Sequence, residues 1–151
     1  MSQVAVLERM RTLIASVDGI RAAYSAGSAA EKRMPPALKM LPCAIVYPGA
    51  TREYILSDGQ KRHTYEAVVQ VFAQGGDPGA AAFDATPMPD AIIEVFEGNV
   101  ALGGLCNSCL FLRTEGLQVL QYGGTDYVGY QLYFEVSEQA AASPAIGDPP
   151  P

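Results

Sequence analysis

Apolar residues recur at helical spacing near the start of the chain, where Val6, Met10, Leu13, Ile14 and Val17 lie four, three, one and three positions apart. That stripe predicts an amphipathic helix with one side turned toward a core. Asp18-Gly19 follows it, and glycine just past the last periodic residue is the expected stop. Ile20, Ala22 and Tyr24 then switch to period two, the spacing of a short strand. The stretch from Ser25 to Met40, with Lys32, Arg33, Pro35, Pro36 and Lys39, reads as a long exposed loop. Loops of that length inside compact domains are uncommon and often functional.

From Leu41 the pattern is that of strands. Leu41-Pro42-Cys43-Ala44-Ile45-Val46-Tyr47-Pro48-Gly49 starts one, and Thr51 to Ser57, Asp58-Gly59 and Gln60 to Ala73 continue it as a long hairpin. With Asp58-Gly59 as a two-residue turn, Leu56 faces Lys61, Tyr54 faces His63 and Arg52 faces Tyr65, on a side shared with Ala67, Val69 and Val71. The other side carries Glu53, Ile55, Arg62, Thr64, Glu66 and Gln70, and turns apolar at Val68 and Phe72. That mixed end predicts burial on both sides, by a helix or by a neighbouring subunit.

A glycine-rich loop, Gln74 to Gly79, precedes a second helix expected from near Thr86, with Pro87 at its first position. Ile92, Ile93, Val95, Phe96 and Val100 form its apolar side, and Gly103-Gly104 is its expected end. In the last hairpin Leu117 and Val119 lie on one arm, and Val128, Tyr130, Leu132, Phe134 and Val136 alternate on the other. Gly123-Gly124 permits a tight turn, and a longer loop including Thr125-Asp126 keeps the same faces inward. The expected architecture is α+β, a mainly antiparallel sheet covered by two helices, in a single domain over residues 1–137. Residues 138–151, rich in Ala and Pro, have one large apolar residue and are expected to form a flexible tail.

Composition narrows the function classes. The chain has 151 residues, 49% of them hydrophobic, enough for a real core. A formal charge of -6 repels phosphate and anionic membranes, which excludes tight non-specific nucleic-acid binding. Glu8, Arg9 and Arg11 interrupt the first apolar stretch, so it lacks the apolar region of a secretory signal, and no run approaches the roughly 20 residues of a membrane span. A soluble protein made in a cytosol is expected. Three cysteines, Cys43, Cys106 and Cys109, leave one unpaired in any disulfide scheme, so reduced thiols are the default.

The candidate chemistry is sparse. Cys106-Asn107-Ser108-Cys109 has a spacing that can clasp zinc or form a redox pair, but a structural zinc site needs about four ligands and only Cys43 and His63 are added candidates. A redox pair would sit at a helix start, whereas this one falls between a helix end and a strand. His63, the only histidine, would have to serve any histidine-based acid or base, and its strand setting reads as packing or surface. Gly75-Gly76-Asp77-Pro78-Gly79 lacks the lysine of a phosphate cradle. Glu94 and Glu97 share a helix face that could hold a cation, but with Asp84 and Asp90 they read as a solvated face. Lys32, Arg33 and Lys39 suit an acidic protein surface at least as well as nucleic acid. No catalytic residue, metal or cofactor is expected.

The order of elements carries a resemblance. A short N-terminal helix ending in Asp18-Gly19-Ile20, the strand at 41–49, the long strand Tyr65 to Phe72, a helix, and a closing Gly123-Gly124-Thr125-Asp126-Tyr127-Val128-Gly129-Tyr130 hairpin resemble the tail terminator, or tail completion, proteins of long-tailed bacteriophages. The likeness covers about residues 3–137. It implies a structural virion protein in the tail or neck, assembled in the bacterial cytoplasm as a homo-oligomeric ring, usually of six copies. Such a ring stops tail-tube polymerisation and joins the tube protein to the head–tail connector. DNA would pass through it without specific binding, as an acidic channel favours. Small connector or stopper proteins of the neck are the alternative, and a thiol or metal protein using Cys106, Cys109 and His63 is the other. Apolar residues in excess of one domain's surface needs, Ile55, Val68, Phe72 and Val100, are the expected subunit contacts. Loops at Lys32, Arg33, Lys39, Asp58, Gly59, Lys61, Arg62, Asp77 and Asp84 are the expected partner contacts.

Overall fold

In the computed structural model the described residues are 3–25, 35–57, 59–73, 79 and 86–141. Helix α1, Gln3–Ala15, buries Val6, Leu7, Met10, Leu13 and Ile14, the stripe read from the sequence with Leu7 added. It tightens at its end, where Ser16 N–H donates to the Leu13 carbonyl at 3.2 Å and Val17 N–H to Ile14 at 3.0 Å. Val17 remains buried beyond the last helical turn.

The strands are β1 (Ala22–Ser25), β2 (Cys43–Ser57), β3 (Gln60–Phe72), β4 (Ser108–Tyr122) and β5 (Thr125–Ala141). They form one five-stranded sheet in the order β1-β2-β3-β5-β4. Helix α2 is Met88–Glu97, followed by a 3-10 turn at Leu102–Gly104. The fold is α+β, as expected, but the sheet is mixed, because β1 pairs with β2 in parallel. Parallel neighbours need a long crossover, and of the chain between Ser25 and Cys43 that joins these two, residues 35–42 are among the described residues.

The β2–β3 hairpin keeps the expected register at its tip, with Leu56 opposite Lys61 and Tyr54 opposite His63. Farther in, Tyr65 faces Thr51 and not Arg52, because the register shifts between Pro48 and Thr51 and again between Thr51 and Glu53. Proline has no N–H for the ladder, so the irregularity begins where pairing is already weakest. The closing β4–β5 hairpin uses the tight alternative: Tyr122 pairs with Thr125 across Gly123-Gly124, whose φ values of 58° and 82° suit a two-residue turn.

Three sequence expectations change. Helix α2 stops at Glu97, with Gly98 as its cap, and the chain turns through 98–101 before Gly103-Gly104. Strand β5 runs through the expected tail boundary to Ala141, with Glu138 opposite His63 and Ala140 opposite Lys61; residues 142–151 lie outside the described residues. Leu117 and Val119 are exposed, at 43% and 65%, because β4 is the outermost strand and its outer half extends past the helices.

Both faces of the sheet carry apolar clusters. One face, with Tyr65, Ala67, Val69, Val71, Leu132, Phe134 and Val136, packs against α1, α2 and the 3-10 turn. Phe96 of α2 stacks on Phe134 with centroids 4.6 Å apart. The opposite face has a smaller cluster of Leu38, Cys43, Ile45, Phe72 and Leu120, with Tyr24, Tyr47, Tyr122 and Tyr127 around it. The crossover segment is tied over this cluster, since the Tyr122 hydroxyl donates to the Pro35 carbonyl.

Candidate functional site

The thiols are held as packing groups. Cys106 and Cys109 are 3% and 1% exposed in the main cluster, and Cys43 is fully buried in the second. Burial pushes Cys109 up to about 12, with the nearby Cys106 adding to the shift, and pushes Cys106 up to about 11, helped by the Glu138 carboxylate. Cys43 is likewise raised to about 12 by burial. At neutral pH all three stay protonated, and the thiol is a poor nucleophile and a poor metal ligand. Among the described residues no three His, Cys, Asp or Glu side chains come together in a group that could hold a metal ion. His63 lies beside Thr51, with Nε2 3.4 Å from Oγ1, and its ring is 4.7 Å from that of Tyr65. The Tyr65 hydroxyl and one Glu138 oxygen are buried without a hydrogen-bond partner, and Tyr65 is shifted upward by burial first and by Glu138 second.

The expected subunit contacts divide. Ile55 and Val100 are exposed, at 39% and 38%. Val68 and Phe72 are 5% and 0% exposed, so the expectation that they lie on the surface is corrected. Alternation along β3 showed that these residues leave the helix-covered face, but the chain's own second cluster covers Phe72. Of the expected partner loops, Lys39 is exposed just before β2, Gly59 forms the β2–β3 turn at φ 74°, Arg62 is exposed and Lys61 half-buried. Lys32, Arg33, Asp58, Asp77 and Asp84 lie outside the described residues.

Beyond the second cluster, the open face of the sheet is charged. Arg52 reaches Glu66 at 3.3 Å and Glu135 at 3.5 Å, and Arg113 reaches Glu66 at 3.8 Å. The guanidinium of Arg113 lies 4.0 Å over the Tyr133 ring, whose hydroxyl donates to Glu115 at 2.7 Å. That hydrogen bond is the main reason Tyr133 is pushed up to about 12. The β2 irregularity aims Arg52 at this cross-strand network, which individual charges in the sequence did not announce. A shallow cleft of about 430 Å³ beside it is lined by Arg52, Arg62, Thr64, Glu135 and Ser137.

The feature that sequence reading missed is the outer strand. β4 spans Ser108–Tyr122 at the sheet edge, and Leu110, Leu112, Leu117 and Val119 are 37–65% exposed along it. The available signal was four large aliphatics in a segment read only from Leu117 onward. Where β4 meets α2, the chain between them is closed by the Cys109 N–H donating to the Val100 carbonyl at 2.7 Å. The result is an apolar groove of about 130 Å³ lined by Ile93, Phe96, Val100, Cys109, Leu110 and Phe111, with Glu97 on its lining as well. No helix among the described residues is long and apolar enough to cross a membrane. No protein-family model matches the chain, and no curated protein matches it.

Proposed function

We propose that this protein is a structural subunit of a bacteriophage tail, a ring-forming terminator that caps the tail tube, ends its polymerisation and joins it to the head connector. The order of sequence elements motivates the family, and the observation that best supports an assembly role is the β4 edge. A long edge strand with exposed aliphatics is an adhesive surface that monomeric proteins ordinarily shorten, charge or cover. Here it bears Leu110, Leu112, Leu117 and Val119 in a chain whose thiols are buried and protonated at neutral pH. A subunit meant to be covered by neighbours has reason to keep such an edge. The excess of acidic side chains also suits a channel that DNA crosses without adhering.

Electron microscopy of the purified protein and of assembled particles tests this. A closed ring at the head-proximal end of the tail is the expected result. A ring seated on the portal would make the protein a connector, and a monomer that never joins particles would refute the structural role.

A further inference from the structure

The two edges of the sheet are built differently. On one side β1 has four residues, and β2 beyond it carries Pro48 and two register irregularities, devices that keep an edge from pairing with another chain. On the other side β4 offers 15 residues with no proline, and β5 is its one strand neighbour. The β5 partners fix which face each β4 side chain takes. Cys109, Phe111, Thr114, Leu117 and Val119 stand opposite Val136, Phe134, Leu132, Tyr130 and Val128, the row that continues the helix-covered face. Leu110, Arg113 and Gln118 stand opposite Glu135, Tyr133 and Gly129 on the open face, which Glu115 shares through its bond to the Tyr133 hydroxyl. The pattern is symmetric about Thr114. At equal steps before and after it, Cys109 matches Val119 and Phe111 matches Leu117 on one face, while Leu110 matches Gln118 and Arg113 matches Glu115 on the other. The two register shifts of β4 also fall one on each side of Thr114.

We infer that β4 of one copy pairs antiparallel with β4 of a second copy, about a two-fold axis at Thr114. An antiparallel pair related by such an axis keeps the faces of both sheets aligned, so it needs a strand whose face pattern is the same read from either end, and β4 has one. In this register Arg113 faces Glu115 of the other copy, twice per dimer. Moving the axis one residue either way sets Arg113 against Arg113 or Glu115 against Glu115, which like charge disfavours. It also opposes residues of different faces, Phe111 with Glu115 or Arg113 with Leu117. That charge match selects a second copy of this chain over an unrelated strand. Within one copy Arg113 lies over Tyr133 and reaches Glu66 only at 3.8 Å, with half of its side chain exposed, so its guanidinium can be shared with a carboxylate across the axis. Leu117, 43% exposed, comes to lie against Phe111 of the other copy, at the mouth of the groove that Ile93 and Val100 line. Leu112 falls opposite Gly116, which has open space where a Cβ would stand. The new ladder runs from Phe111 to Leu117 and stops short of Cys109, whose N–H is taken by the Val100 carbonyl. A contact of this kind closes on itself at two copies, so it belongs to the free protein and does not rest on the ring.

Light scattering over a dilution series of the full-length chain should show a dimer that falls to monomer as it is diluted. Arg113→Glu and, separately, Glu115→Arg set like charges opposite each other twice per dimer and should each weaken association about tenfold or more. An equimolar mixture of the two variants should regain the dimer mass, since each then meets its opposite. Circular dichroism should be unchanged in both, because both side chains are exposed. Thr114→Cys tests the same register without a change of charge: at the axis it should cross-link two copies on mild oxidation, whereas Gln121→Cys, exposed near the end of β4, should not. A wild-type chain that stays monomeric at every concentration, a dimer that neither reversal weakens, or a mixture that fails to recover would each overturn the contact. So would a cross-link through position 121 in preference to position 114. Absence of the protein from phage particles would remove the ring and leave this contact standing.

Discussion

Replacing Phe72 by alanine separates a core residue from an interface residue. The ring is fully buried and packs with Leu38, Cys43, Ile45 and Leu120. It also meets Tyr122 edge-on at 5.8 Å and 74°, and Tyr127 at 5.6 Å and 83°. Truncation removes the transfer free energy of the ring, leaves a hollow against β2 and β4, and deletes both aromatic contacts. Such losses together amount to about 3–5 kcal/mol. Against a total stability of roughly 5–15 kcal/mol that is a large share. At about 2–4 °C per kcal/mol for a chain of this size, the melting temperature should fall by roughly 6–20 °C. Urea unfolding followed by circular dichroism measures the cost, and Ile55→Ala, on the exposed arm, serves as a comparison expected within about 0.5 kcal/mol of wild type. If Phe72→Ala unfolds at the wild-type urea concentration yet dissociates an oligomer, the placement of Phe72 in the second cluster is wrong and the ring belongs at a subunit contact.

Gly129→Ala should cost about 3 kcal/mol or more, since an added Cβ would run into the Val71 carbonyl and come within 2.9 Å of a Leu120 methyl, whereas Gly124→Ala, with open space around it, should cost only the roughly 1–2 kcal/mol of a positive φ; urea midpoints of the two variants compare them. The three thiols should resist a thiol-specific reagent at pH 8 and react only once denaturant is added, and rapid stoichiometric labelling of the native protein would contradict their burial. Stability should hold up to about pH 9 and then decline toward pH 12, because the unfolded chain releases the Cys109 proton first while the folded chain keeps it to about 12. The upward shift of Tyr65 acts in the same direction, and a flat urea midpoint from pH 8 to 11 would refute this linkage.

Local regularity explains which features were readable. The α1 stripe and the tip of the β2–β3 hairpin depend on residues within a few positions of one another, so spacing and the turn glycine sufficed to place Met10 inward and Leu56 opposite Lys61, whereas the choice of turn in the β4–β5 hairpin stayed open. The shift of Arg52 followed from a register irregularity near Pro48, a residue whose consequence could be foreseen in kind but not in position. Gly98 ended α2 ahead of the more conspicuous Gly103-Gly104, because helix termination depends on where the core stops as well as on the strongest breaker. Of the candidate surface, Ile55, Val100, Lys61 and Arg62 were named from the sequence, whereas the groove that gathers Val100, Leu110 and Phe111 joins segments whose proximity no local pattern encodes.

By itself the sequence determined the α+β class, the helix-facing side of β3 and β5, and the absence of any run of apolar residues long enough for a membrane helix. These are properties of period and composition, which act over one or two turns of chain. Tertiary structure alone decided that β1 joins in parallel, that Glu138 continues a strand, that Phe72 is core, and that β4 is an edge with Leu110, Leu112, Leu117 and Val119 uncovered. Alternation states which residues share a face, but burial depends on what lies over that face. Here the covering elements are a crossover preceding Cys43 and helices that stop short of the outer half of β4, and only their assembled positions separate a buried aromatic from an exposed one.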